Sequence, residues 1–154
     1  EMGRRAGTEN LIGIAGFAAA AEAAAQDLAN GIWDEIAELR NILELQLSAA
    51  AIGTISVGNS LPRLPNTLCL IAPGWRGETQ VMAMDLAGFA VSAGSACSSG
   101  KVRSSRILSA MGYADPLAGQ AIRVSIGPGV RQDDVLRFGD AWTAAYAKAR
   151  ARAA

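Results

Sequence analysis

Histidine is absent from this sequence, and its absence excludes a good deal of chemistry. It removes the usual general base, the usual partner of a nucleophilic serine or cysteine, and the commonest metal-binding side chain. Hydrolytic triads and zinc centres are therefore poor readings. Lysine is nearly as scarce, with only Lys101 and Lys148 present, so imine chemistry conducted by this chain alone has few candidates. Cysteine is limited to Cys69 and Cys97, too few for a disulfide framework at this length, and reduced thiols are expected. Neither charge is in excess, with 14 basic residues against 14 acidic ones, so no net field favours nucleic acid or an anionic membrane. The apolar stretch Leu11 to Ala25 is alanine-rich and interrupted by Gly13, Gly16 and Glu22. It reads as too short and too weakly hydrophobic to span a bilayer. Arg4 and Arg5 lead into Gly-Thr-Glu-Asn rather than into the apolar core of a signal peptide. These absences lead us to expect a soluble, cytoplasmic protein with no membrane or nucleic-acid partner.

What is present suits one small domain with a satellite segment: 154 residues, 51% of them apolar, can bury a single core. From Asn10 to about Leu47 the pattern is helical, first rich in alanine and then with Ile32, Ile36, Leu39, Leu43 and Leu47 at steps of three and four. Asn30-Gly31 is the point where it would bend or break. A helix of that length reads as an arm joining this domain to another. Thr54–Val57 alternates as a short strand, Thr67–Ile71 reads as an interior strand, and Glu78–Leu86 has helical composition with Gly88 as its stop. Phe89–Val91 suggests another brief strand. Ser104 or Ser105 can cap a short helix ending near Met111 and Gly112. In Ala121–Ile126 alternation puts Ile122, Val124 and Ile126 on one face and Arg123 and Ser125 on the other. From Gln132 onward Val135, Phe138, Trp142 and Tyr146 share a helical stripe, with Arg150 and Arg152 placed to favour the helix dipole. The pattern predicts a sheet packed by helices, in the α/β or α+β class.

Four places could carry chemistry. Ser92-Ala93-Gly94-Ser95-Ala96-Cys97-Ser98-Ser99-Gly100 is a run of small residues that reads as a loop presenting a thiol. Cys97 is either a small buried hydrophobe or an exposed thiol made more acidic by Lys101 and Arg103. Cys69, between Leu68 and Leu70, reads instead as apolar filler in the core. Arg123 points either to solvent or into a polar cleft where its planar fork would grip a carboxylate. In Arg4-Arg5-Ala6-Gly7-Thr8-Glu9-Asn10, Thr8 and Asn10 either cap the helix that follows or present donors to a phosphate.

Gly3 to Asn10, Arg63-Leu64-Pro65-Asn66-Thr67, Ser92 to Gly100, and Ala121-Ile122-Arg123-Val124-Ser125-Ile126-Gly127 together resemble the cysteine desulfurase family, in order and in spacing. The similarity reaches roughly Trp142 and is closest to the NifS/IscS branch. It implies the small C-terminal domain of a homodimeric fold-type-I enzyme dependent on pyridoxal 5'-phosphate, in which L-cysteine becomes L-alanine and a persulfide. On this resemblance Cys97 is the nucleophile that takes the sulfur, Arg123 binds the substrate carboxylate, and Thr8 reaches the phosphate of the partner's cofactor. A sulfur-acceptor or scaffold protein, as in iron–sulfur cluster assembly, would then collect the persulfide. The family's Schiff-base lysine and ring-stacking histidine have no counterpart here, and Pro128-Gly129-Val130-Arg131 departs from the family's usual turn.

The resulting expectation is a fragment, inactive alone. Residues 1–10 would be a remnant of the large cofactor domain, 11–48 a connecting helical arm, and 49–154 the small domain with the cysteine loop. Without the domain it should pack on, the arm would expose Ile32, Ile36 and Leu39 unless paired with another copy. Two other functions fit part of the pattern: a non-catalytic interaction module of desulfurase-like fold, and a thiol redox sensor built on Cys97.

Overall fold

The computed structural model describes residues 3, 6–94 and 105–153. They fall into two compact units, Glu1–Trp33 and Asp34–Ala154. In the first, α1 spans Leu11–Ala29. Its cap is Asn10, one of the two capping candidates, whose side-chain oxygen accepts a hydrogen bond from the Gly13 amide at 3.0 Å. The helix ends at Asn30, whose amide returns to the Gln26 carbonyl, and Gly31 follows with φ +76°. A left-handed residue here costs glycine little. The expected long helix is accordingly two helices.

One sequence expectation is corrected by α1. The helix continues four residues past Ala25, and its 19 residues, with mean hydropathy 1.2, are long and apolar enough to cross a membrane by length and composition. None of its residues is buried.

Helix α2 spans Ile32–Ala50. Within the second unit its Ile36, Leu43 and Leu47 are buried, so Ile36 is not the exposed residue expected of a detached arm. Gln46 ties this helix to the C-terminal one by donating to the Leu136 carbonyl and to Asp140. The sheet contains β1 (Ile55–Ser56), β2 (Thr67–Ile71), β3 (Ser92–Ala93) and β4 (Ala121–Ser125) in the order β1-β2-β4-β3, all antiparallel. Around it lie α3 (Gly77–Leu86), α4 (Arg106–Ala110), α5 (Asp115–Ala118) and α6 (Gln132–Ala153).

The two faces of the sheet differ. On one, Leu68, Leu70, Ile122 and Val124 are buried, together with Met84 of α3 and Val135, Phe138, Trp142 and Tyr146 of α6. The aromatic stripe read from the sequence does pack: Trp142 and Tyr146 stack at 5.1 Å, Trp75 joins both, and Phe89 meets Phe138 edge-on. On the other face a smaller cluster of Val57, Ile71, Leu108, Ala118 and Ala121 covers only part of the sheet.

Three elements depart from expectation. Phe89–Val91 is not a strand, because the amides of Gly88 and Phe89 return to the Asp85 and Met84 carbonyls and close α3 with a left-handed Gly88 at φ +84°. Pairing with β4 starts only at Ser92. The strand at Thr54–Val57 is shortened because Thr54 turns back to the Ala51 carbonyl. Pro116, read only as lying beyond a helix stop, sits in the first turn of the short α5, where its missing N–H costs nothing.

Candidate active site

The open part of the second sheet face is the candidate site. Antiparallel register sets Cys69 of β2 opposite Arg123 of β4, and Arg123 opposite Ser92 of β3. Residues directly opposed across antiparallel strands point to the same side. Arg123 therefore projects from the face away from Leu68 and Leu70, and it is exposed. It borders a cleft of about 680 Å³ whose walls are Glu78, Val81 and Met82 of α3, Val91 to Gly94, Ser105 to Ile107 and Arg123 itself. A recess of about 220 Å³ continues beneath it to Cys69, Val57, Leu108 and Met111. No hydrogen bond or ion pair joins Arg123 to another described residue.

Several features hold this arrangement. Gly77 starts α3 so close to the sheet that an added Cβ would lie 2.6 Å from the Ala121 carbonyl oxygen, a separation that only glycine allows. This fixes the N-terminal end of the cleft wall. Ser105 caps α4 by accepting from the Leu108 amide at 3.3 Å. Glu78, the acid on the cleft wall, lies 3.6 Å from Arg76, so the cleft keeps the positive character of Arg106 and Arg123.

Cys69 packs against apolar residues as its neighbours suggest, but in the smaller cluster and not beside Leu68 and Leu70. Alternation turns it away from Leu68 and Leu70, and it is only partly buried, packed on the smaller cluster. Burial pushes its thiol above the usual range, and nearby Arg123 opposes that shift. The signal for this was in the sequence, since Cys69 occupies the alternate position of β2 just as Arg123 does of β4. Pairing the two strands was the missing step.

The other expected site residues fall elsewhere. Thr8 is exposed in the first unit, two residues ahead of the Asn10 cap. Cys97 lies outside the described residues, as do Lys101, Arg103, Arg4 and Arg5. Gly94 and Ser105, the described residues on either side of the segment that contains Cys97, both border the Arg123 cleft. Arg63 of the second motif forms an ion pair with Glu44, and the Asn66 carbonyl accepts from the Ile126 amide at 2.9 Å; this motif fastens the entry of β2 to α2 and β4.

Among the described residues no group of three His, Cys, Asp or Glu side chains is placed to hold a metal. A pyridoxal cofactor held as an imine needs a lysine amine. Lys148 is exposed on α6, beside Trp75, Thr79 and Arg152 rather than in the Arg123 cleft. The described residues therefore do not make a site for that cofactor by themselves.

The family model for aminotransferase class-V matches residues 1–138. The chain belongs to the class-V aminotransferase family. Its relatives in this family include a cysteine desulfurase of Klebsiella pneumoniae, 38% identical over 135 residues, which are 88% of this chain and 34% of that protein. The cysteine desulfurase NifS of Azotobacter vinelandii is 34% identical over 137 residues, 89% of this chain and 34% of that one. Among solved structures, a NifS-like protein from Rickettsia africae superposes with a TM-score of 0.79 at 28% identity, covering 93% of this chain and 36% of that one. A second NifS-like protein gives 0.78 at the same identity. The chain thus spans about a third of the length of the curated relatives it matches. The class-V match includes α1, and the α/β arrangement of antiparallel sheet and helices is that of the NifS-like structures.

Proposed function

We propose that this chain is the part of a cysteine desulfurase that grips the carboxylate of L-cysteine and accepts its sulfur. The observation that carries this reading is Arg123: a guanidinium without a partner among the described residues, bordering an open cleft beside Gly94 and Ser105, between which the chain carries Cys97. An unpaired arginine fork suits a carboxylate, which it can bind through two parallel hydrogen bonds.

Cys97 is assigned the sulfur-accepting thiol. The carbon–sulfur bond of cysteine breaks, a sulfur–sulfur bond to Cys97 forms, and a proton takes sulfur's place on the departing alanine. Pyridoxal phosphate, when bound, supplies the electron sink for such chemistry, and we place its lysine outside these 154 residues. Arg123 orients the substrate by its carboxylate end. We assign Thr8, on the family resemblance of the segment Gly3 to Asn10, to the cofactor phosphate of a homodimeric partner. A sulfur acceptor of the iron–sulfur scaffold kind would then relieve Cys97 of its persulfide. We read α1 as an element of the family fold rather than a membrane span, because the family match runs through it, and we keep the protein in the cytoplasm.

The test is made in the full-length protein. Cys97→Ser abolishes alanine production from L-cysteine, whereas retained production would overturn Cys97 as the sulfur acceptor; a full-length protein that makes no alanine even with Cys97 intact would leave the interaction-module reading. Arg123→Ala raises KM for L-cysteine about 10- to 100-fold, the loss expected for hydrogen bonds to a charged group. If peroxide converts Cys97 to a sulfenic acid while cysteine and the cofactor have no effect, the thiol-sensor reading replaces this one.

A further inference from the structure

Arg123 is the middle member of a row. Ser92, Arg123 and Cys69 stand opposite one another on three adjacent strands, and directly opposed side chains have Cβ atoms about 4.5–5.5 Å apart. Ser92 and Arg123 border both the cleft and the recess beneath it. Ser92 is exposed, and its hydroxyl makes no hydrogen bond to another described residue. Cys69 adds no negative charge to the row, since burial favours its protonated form. With Glu78 beside Arg76, no other acid among the described residues lines the cleft.

A carboxylate offers about four lone-pair positions, and a guanidinium fork occupies two of them. The remaining oxygen sites call for a further donor within reach of Arg123. We propose that Ser92 completes the carboxylate subsite, its hydroxyl donating to the substrate carboxylate held by Arg123. Ser92 is then a substrate-binding residue that discriminates amino acids from amines. This rests on the reading of Arg123 given above and adds a second residue to it.

The experiment compares the Ser92→Ala, Ser92→Thr and Arg123→Ala forms of the full-length protein. Three quantities are measured: KM for L-cysteine, the inhibition constant of L-alanine as a carboxylate-bearing ligand, and that of 2-aminoethanethiol, which lacks the carboxylate. Ser92→Ala is expected to raise the first two together, about three- to tenfold, and to leave kcat and the third unchanged, while Ser92→Thr restores the original values. Unaltered KM and L-alanine inhibition in Ser92→Ala, with both raised in Arg123→Ala, overturns the role of Ser92 and leaves the Arg123 reading standing. Equal weakening of L-alanine and 2-aminoethanethiol also overturns it, since a general disturbance of the cleft would do that. If Arg123→Ala changes neither quantity, the carboxylate reading itself fails.

Discussion

At the scale of single residues, the proposed role of Arg123 rests on its having no partner among the described residues. A guanidinium is exposed to capture by any acid within reach, and opposed unlike charges on adjacent strands attract. Across β2 the opposed residue is Cys69, whose thiol is kept protonated by burial. Replacing it by a carboxylate would supply the pairing that the native row avoids. Cys69→Asp is therefore expected to raise KM for L-cysteine about two- to fivefold at neutral pH, and Cys69→Ser to leave it unchanged. Steady-state kinetics on the two variants measure both. An unchanged KM in Cys69→Asp would mean that Arg123 does not face the substrate.

Among the elements, α3 shows how local chemistry places a functional wall. Its beginning is set by Gly77, pressed against the Ala121 carbonyl, and its end by Gly88 in the left-handed region. The closing motif spends the amides of Gly88 and Phe89 on α3 carbonyls, which delays β3 until Ser92 and thereby decides which residue faces Arg123. Gly88→Ala forces a side chain into that conformation at a cost of about 1 kcal/mol. Urea unfolding should report a lower midpoint with an unchanged slope. A midpoint that does not move would show that the turn tolerates a Cβ.

Over the whole of the second unit, one buried side chain ties distant segments together. Gln80 is fully buried; its amide donates to the Trp75 and Gln120 carbonyls, both at 2.9 Å, and its oxygen accepts from the Trp142 indole at 3.1 Å. Those partners lie in the loop before α3, the turn before β4, and α6. Tyr146 adds a bond from its hydroxyl to the Pro73 carbonyl. Gln80→Leu keeps the bulk but strands the Trp75 carbonyl and the Trp142 indole, each costing about 1–3 kcal/mol, while the Gln120 carbonyl keeps the Ala72 amide at 3.1 Å. A loss of at least about 2 kcal/mol in unfolding free energy is expected by chemical denaturation, larger than that of Gly88→Ala. An equal or smaller loss would show that the three segments are held by apolar packing instead.

Much of this was legible in the amino-acid order, because helices and strands impose their own periods on it. The 3.6-residue stripe of Val135, Phe138, Trp142 and Tyr146, the alternation of Ile122, Val124 and Ile126, and the break at Asn30-Gly31 all reflect local backbone rules. The motif that contains Arg123 was readable in the same way, and so was the family. Local pattern could not choose between solvent and cleft for Arg123, nor see that Cys69 belongs to the smaller cluster on the same face. Both depend on which strands become neighbours and in what register, and shifting a strand by one residue moves every side chain to the opposite face. The sequence by itself therefore determined the elements and the family, through propensity, periodicity and motif. Only the tertiary structure decided that Ser92, Arg123 and Cys69 share one row, because that row is made by hydrogen bonds between segments far apart in the chain.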